Sequence, residues 1–219
     1  MQTFTAYHED DDERVRRSSA PENEAPAAVP VSAVLARTGT AALTLTGVQV
    51  FSTGLSFTLG LRCRPEQLDE LPDRNVGDVL WGHHGTALMV GVEFADGRRA
   101  GNVPPPLAPG EPAGPGLMPF SEATGPDSLV FHQGGGSGGQ LAAEAGWWLS
   151  PLPPDGPLRI VVRCDALGLG ETVTELDGAA IRAAAAEVVT LWPWVSPREA
   201  EPPTRQGPDI PADSWFARG

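Results

Sequence analysis

The stretch VFHQGGGSGGQLAAEAGWW, residues 130 to 148, holds the residues whose types and spacing could do chemistry. Gly135-Gly136-Ser137-Gly138-Gly139 matches the G-x-S-x-G pattern, which sets a serine nucleophile on a sharp turn between a strand and a helix. SLVFHQ could supply the strand, and QLAAEAG weakly the helix. A serine nucleophile also needs a base, usually a histidine that follows it in the chain. The chain has four histidines, His8, His83, His84 and His132, and none lies beyond Ser137. A phosphate-cradling loop fares no better, because it would rest on a helix N-terminus and in its commonest form uses a lysine. All fifteen basic residues are arginine. The run is therefore expected to be a flexible connection between adjacent strands, with no catalytic role for Ser137.

Other candidate groups are thinner. His83, His84 and His132 with a carboxylate could form a metal or acid–base site. Neighbouring histidines on an extended backbone point to opposite sides, however, and no ligand spacing supports them. No catalytic residue, metal or cofactor is assigned. Cys63 and Cys164 each end an inward-facing apolar row, so buried free thiols and a bridge between facing strands are both open; a reducing compartment favours the thiols. Trp147-Trp148 is an adjacent pair on a strand, so one ring should face the core and the other the outside. The outer ring could stack on a sugar or a partner, or both could pack the sandwich with Trp192 and Trp194. Trp215-Phe216, near the end of a proline-broken tail, resembles a short docking peptide. Trp147, Trp148, Trp215 and Phe216 are the candidate binding residues.

Positioning these groups falls to short strands. LSFTLGLRC alternates Leu55, Phe57, Leu59, Leu61 and Cys63 with polar or small residues, the period of a half-buried strand. ALTLTGVQV alternates but slips at Gly47, where a bulge is expected. Ser52-Thr53-Gly54 joins the two as a hairpin. ALMVGVEF leads into Asp96-Gly97, a hairpin turn signal, and RRAGN follows. Residues 102 to 126 form a long proline-rich loop. SLVFHQ, WWLSPL, LRIVVRC and GETVTEL complete the set, and one helix follows, with Asp177 as cap and Ile181, Ala184, Ala185 and Val188 at helical spacing. This predicts an all-β fold, an antiparallel β-sandwich of seven or eight strands with one short C-terminal helix.

Composition bounds the rest. The chain has 219 residues and a net charge of −13, which disfavours nucleic acid and anionic membranes as partners. Residues 1 to 30 are acidic and then rich in Pro, Ala and Glu, so they are expected to be a disordered arm whose removal leaves stability unchanged. Residues 31 to 195 should form the domain and residues 196 to 219 a disordered tail. No segment is apolar for long enough to be a membrane helix, and the acidic N-terminus lacks the marks of a secretion signal, so a cytoplasmic location is expected.

The runs LARTGTAALTLTGVQVFSTGLSFTLGLRCRP, LMVGVEFADGRRA and WWLSPLPPDGPLRIVVRCDALGLGETVTELDGAAIRAAAAEVVTLWP, within residues 33 to 195, resemble a family of uncharacterised actinobacterial all-β proteins. The lysine-free composition fits such a source. The resemblance implies a single intracellular β domain and supplies no site residues. Function is expected to be that of a non-enzymatic binding or protein-interaction module, with a protein partner met through the loops or the C-terminal tail. The alternative is an enzyme whose site draws on His83, His84, His132 and a carboxylate.

Overall fold

The structure, a computed structural model, describes residues 12–82, 88–103, 120–121 and 128–196. Its strands are β1 (Glu24–Ala25), β2 (Ala27–Arg37), β3 (Ala41–Val50), β4 (Leu55–Cys63), β5 (Met89–Glu93), β6 (Arg99–Gly101), β7 (Phe120–Ser121), β8 (Val130–Gly138), β9 (Ala142–Ser150), β10 (Pro157–Cys164), β11 (Leu169–Asp177) and β12 (Val189–Thr190). Besides a helical turn at residues 12–17, the described residues hold the helices α1 (Pro65–Leu68), α2 (Val76–Trp81) and α3 (Gly178–Ala184).

Two five-stranded sheets carry the fold, in the orders β2-β3-β4-β9-β8 and β11-β10-β5-β6-β7, and β1 with β12 forms a small ribbon. All of these pairings are antiparallel. The alternation read in the sequence is the cause. Leu55, Phe57, Leu59 and Leu61 of β4 and Leu158, Ile160, Val162 and Cys164 of β10 are all buried in one core. The β3–β4 register slips between Thr46 and Gln49, and Gly47 sits there at a φ of +64°, a left-handed backbone that a side chain would strain. Asp96-Gly97 turns β5 into β6, with the Phe94 amide donating to the Arg98 carbonyl. Asp177 caps α3 by accepting from the Ala180 amide, and Ile181 is buried beneath it.

Three expectations give way. The glycine run is no slack connection: Gly134 to Gly138 continue β8 as an edge strand along β9, with a register shift between Gln133 and Gly136. A Cβ on Gly136 would lie 2.1 Å from the Glu144 carbonyl oxygen and 2.9 Å from the Trp81 ring, so the backbone must approach closely there and only glycine allows it. QLAAEAG is likewise strand, from Ala142 on. The arm is also no free arm over its described part. Residues 12–17 are helical, β1 pairs with β12, and β2 begins at Ala27 rather than after residue 30. Pro30 is compatible with β2 because the strand lies at a sheet edge and the ladder is interrupted between Val29 and Ser32. The arm is poor in apolar residues, and long-range hydrogen bonds to the sheet hold it instead of a core of its own. The proline-rich loop expected over residues 102 to 126 lies mostly outside the described residues.

Among the described residues, two buried donors inside the sandwich find no acceptor: Gln133 Nε2 and Trp147 Nε1, on residues that face each other across β8 and β9. An unmatched buried N–H costs about 1–3 kcal/mol. Gln133→Met, which keeps the shape and removes the polar group, is expected to raise unfolding stability by about 1 kcal/mol. Urea denaturation measures this, and a loss of similar size would show that the amide has an acceptor.

Candidate binding surface

The tryptophan pair divides as its position on a strand demands, but neither ring is free. Trp147 faces the core at 1% exposure, stacked on Phe131 with centroids 5.0 Å apart. Trp148 faces the other way and is still only 4% exposed. Its ring meets Phe51 edge to face at 5.7 Å, Gly54 packs close to it, and the N-terminal arm lies over its Nε1 edge. Of the two readings of the pair, packing is what the structure has for both rings, and an exposed ring on Trp148 is not found, because the chain supplies its own cover.

That cover is held by its main chain. Three successive carbonyls of the arm each accept from a different side chain of the sheet or its β3–β4 turn. Thr53 Oγ1 donates to Arg16 O at 3.3 Å, Trp148 Nε1 to Arg17 O at 2.9 Å, and His132 Nε2 to Ser18 O at 2.8 Å. A carbonyl can only accept, so His132 carries its proton on Nε2 and spends that nitrogen on the arm. Arg17 reaches down from the arm to Ser128 O at 2.6 Å and Ser150 Oγ at 3.4 Å.

The C-terminal segment runs beside the arm. Asn23 exchanges bonds with it, its Nδ2 donating to Trp192 O at 2.9 Å and its carbonyl accepting from the Leu191 amide at 2.8 Å. The Arg16 guanidinium lies 5.3 Å from the Trp194 ring centroid, and Ser196 Oγ donates to Asp12 Oδ1 at 2.9 Å. Ser196 is buried, so the tail expected to be free from residue 196 is still docked at that residue. Where the two segments meet β-sheet and α3, a cleft of about 690 Å³ opens among Arg16, Ser52, Thr53, Arg182 and Trp194, with Asp12 and Glu13 also on its wall. Outside it lies an apolar strip: Val189, Leu191, Trp192 and Val195 are 56%, 50%, 56% and 61% exposed. Sequence reasoning placed Trp192 and Trp194 as packing and passed over Arg16 and Arg182. The legible signal was the basic cluster Arg14, Arg16 and Arg17 inside an otherwise acidic arm.

The remaining candidates do not converge on this surface. His83 and His84 lie outside the described residues, as do Trp215 and Phe216. Ser137 is exposed on β8 opposite Glu144. Among the described residues no three His, Cys, Asp or Glu side chains gather to hold a metal, and no helix is long and apolar enough to cross a membrane.

Cys63 and Cys164 are free thiols. Burial pushes the Cys164 thiol above the ordinary 9.0, against a weaker opposite pull from the amides of Leu167 and Ala166; burial alone raises Cys63. The folded state then holds these protons more tightly than the unfolded chain. Their contribution to stability is complete below about pH 9 and is lost as pH rises through the folded values. Cys164 is fully buried and Cys63 only partly. Iodoacetamide is therefore expected to modify Cys63 first and Cys164 only at the rate of unfolding, as mass spectrometry over time would read. Two equally fast modifications would contradict the burial of Cys164. Compared with protein-family models, curated proteins and solved structures, the chain finds no match.

Proposed function

We propose that the chain is a non-enzymatic interaction module that takes a protein partner on the surface where its two terminal segments cross the sandwich. One observation carries the reading: four large apolar side chains half or more exposed fall within the seven residues from Val189 to Val195. Isolated exposed apolar residues are ordinary, but a contiguous strip beside a polar cleft has the composition of a recognition surface. The net charge of −13 supports a protein over a nucleic acid as the partner. The two free thiols support a reducing compartment, and the cytoplasm is the proposed location. The resemblance of residues 33 to 195 to actinobacterial β proteins belongs to the same reading and gives no residue a role.

The histidine-based enzyme has less behind it, since His132 spends Nε2 on the arm. The test is chemical cross-linking of tagged full-length chain in a lysate of its source, with the double variant Trp192→Asp, Val195→Asp beside it. Both substitutions are at exposed positions and should change stability by no more than about 0.5 kcal/mol. The reading expects the cross-linked partner to be lost from the variant at an unchanged melting temperature. Equal capture by both proteins would sink it.

A further inference from the structure

We infer that the cleft between the terminal segments binds an oxyanion on a partner peptide, a carboxylate or a phosphate, held by the guanidinium groups of Arg16 and Arg182. The inference rests on the interaction-module reading and names the chemistry that the same surface would recognise.

Arginines in this chain are commonly tied to acids. Arg98 pairs with Asp96 at 2.8 Å, Arg159 with Glu93 and Glu175 at 2.7 and 2.9 Å, and Arg163 with Asp165 at 2.8 Å. Arg62 and Arg74 are likewise paired, with Glu144 and Asp69. The two cleft arginines differ. The Arg16 guanidinium carbon lies over the Trp194 ring, 5.3 Å from its centroid, and Arg16 has no described carboxylate within ion-pairing distance. A cation–π contact takes up none of a guanidinium's N–H groups as hydrogen bonds, so their fork can still make a two-pronged contact with an oxyanion. Arg182 is steadied at its Nε, which donates to Pro153 O at 3.1 Å. Its nearest acid is Asp155 at 3.7 Å, a side chain 86% exposed. Neither terminal nitrogen of Arg182 bonds a described residue, so both remain for a ligand. The two groups come from opposite ends of the chain, one on the arm and one on α3, and line one cleft.

The same cleft limits which anion can enter. Ser52 and Thr53 already donate their hydroxyl protons, to Glu24 and to Arg16 O, so the guanidinium groups must do the binding. Asp12 and Glu13 on the wall, and the chain's charge of −13, repel a polyanion while a single acidic side chain can still pair with Arg16 or Arg182. Trp192 and Val195 line the adjoining groove on the far side of Arg16. The fitting ligand is an extended segment in which an acidic residue is flanked by apolar ones.

Fluorescence anisotropy with the full-length chain tests this, using a labelled, end-capped octapeptide with a single aspartate flanked by leucines. Its asparagine and phosphoserine counterparts serve as further probes. The aspartate or phosphoserine peptide should bind, the asparagine peptide should not, and the affinity should fall with salt. Arg16→Gln and Arg182→Gln should each raise Kd about tenfold, whereas Arg37→Gln, on an exposed end of β2, should leave it unchanged. Tighter binding of the phosphoserine peptide would assign a phosphorylated partner, and tighter binding of the aspartate peptide an acidic one. Equal binding of aspartate and asparagine peptides, or equal weakening by Arg37→Gln, would overturn the anion site. So would failure of every peptide to bind; the surface reading would survive that result if the cross-linked partner is still lost from the Trp192→Asp, Val195→Asp variant.

Discussion

Leu59→Asp is expected to leave no folded protein under conditions where the parent chain is stable. Leu59 is fully buried in β4, the middle strand of its sheet, with Leu45 of β3 and Ala145 of β9 opposite. Its neighbours are the apolar side chains of a single core, and no described cation is placed to meet a carboxylate there. An unpaired buried carboxylate, added to the loss of a leucine, costs at least about 5 kcal/mol, comparable to the whole stability of a small domain. Circular dichroism and proton NMR should show a chain without cooperative melting. A melting temperature equal to that of the parent chain would mean that Leu59 faces water and that the sandwich is assembled otherwise.

Removing residues 1–25 should lower stability by about 3–5 kcal/mol, the sum of an uncovered Trp148 and the lost hydrogen bonds that fasten the arm. In a domain of this size that corresponds to roughly 10 °C in melting temperature. It also removes Glu24, whose carboxylate accepts from the Ser52 amide at 2.9 Å and from the Ser52 hydroxyl. Tryptophan emission should shift to the red as Trp148 meets solvent. An unchanged melting temperature would mean the arm rests on the sheet without stabilising it. This reverses the expectation from composition, and the reason is physical. Low apolar content tells whether a segment can build a core, not whether the side chains of a finished sheet can capture its carbonyls.

The strands were legible wherever one face meets the core and the other meets water. LSFTLGLRC and LRIVVRC carry that alternation without interruption, and Gly47 announced its bulge by breaking the pattern. β2 was harder to read, because Pro30 interrupts it and alanines dilute its contrast. The helix α2 was missed altogether: it spans only six residues, so its buried stripe of Val76, Val79 and Leu80 is too short to show a helical period, and Asn75 caps it by accepting from the Gly77 amide. Ser137 could be dismissed as a nucleophile from the chain alone, since what decided it was the order of the residues. Which tryptophan would be reachable could not be read, because Trp148 is covered by residues more than a hundred positions away. The cleft depends on the same kind of distance, with Arg16 and Arg182 brought together only by folding.

The links between the two ends of the chain come in a fixed order: Asp12 with Ser196, Arg16 with Trp194, Asn23 with Trp192, then Glu24 with Thr190 and Ala25 with Val189. Tension applied to both termini would strain these contacts one at a time, like the teeth of a zip, rather than all together in shear. Such an arrangement yields to a weak pull and stops at β2, where the longer ladder to β3 begins. A partner tugging on either end would peel back the cover over Trp148 long before it disturbed the sandwich.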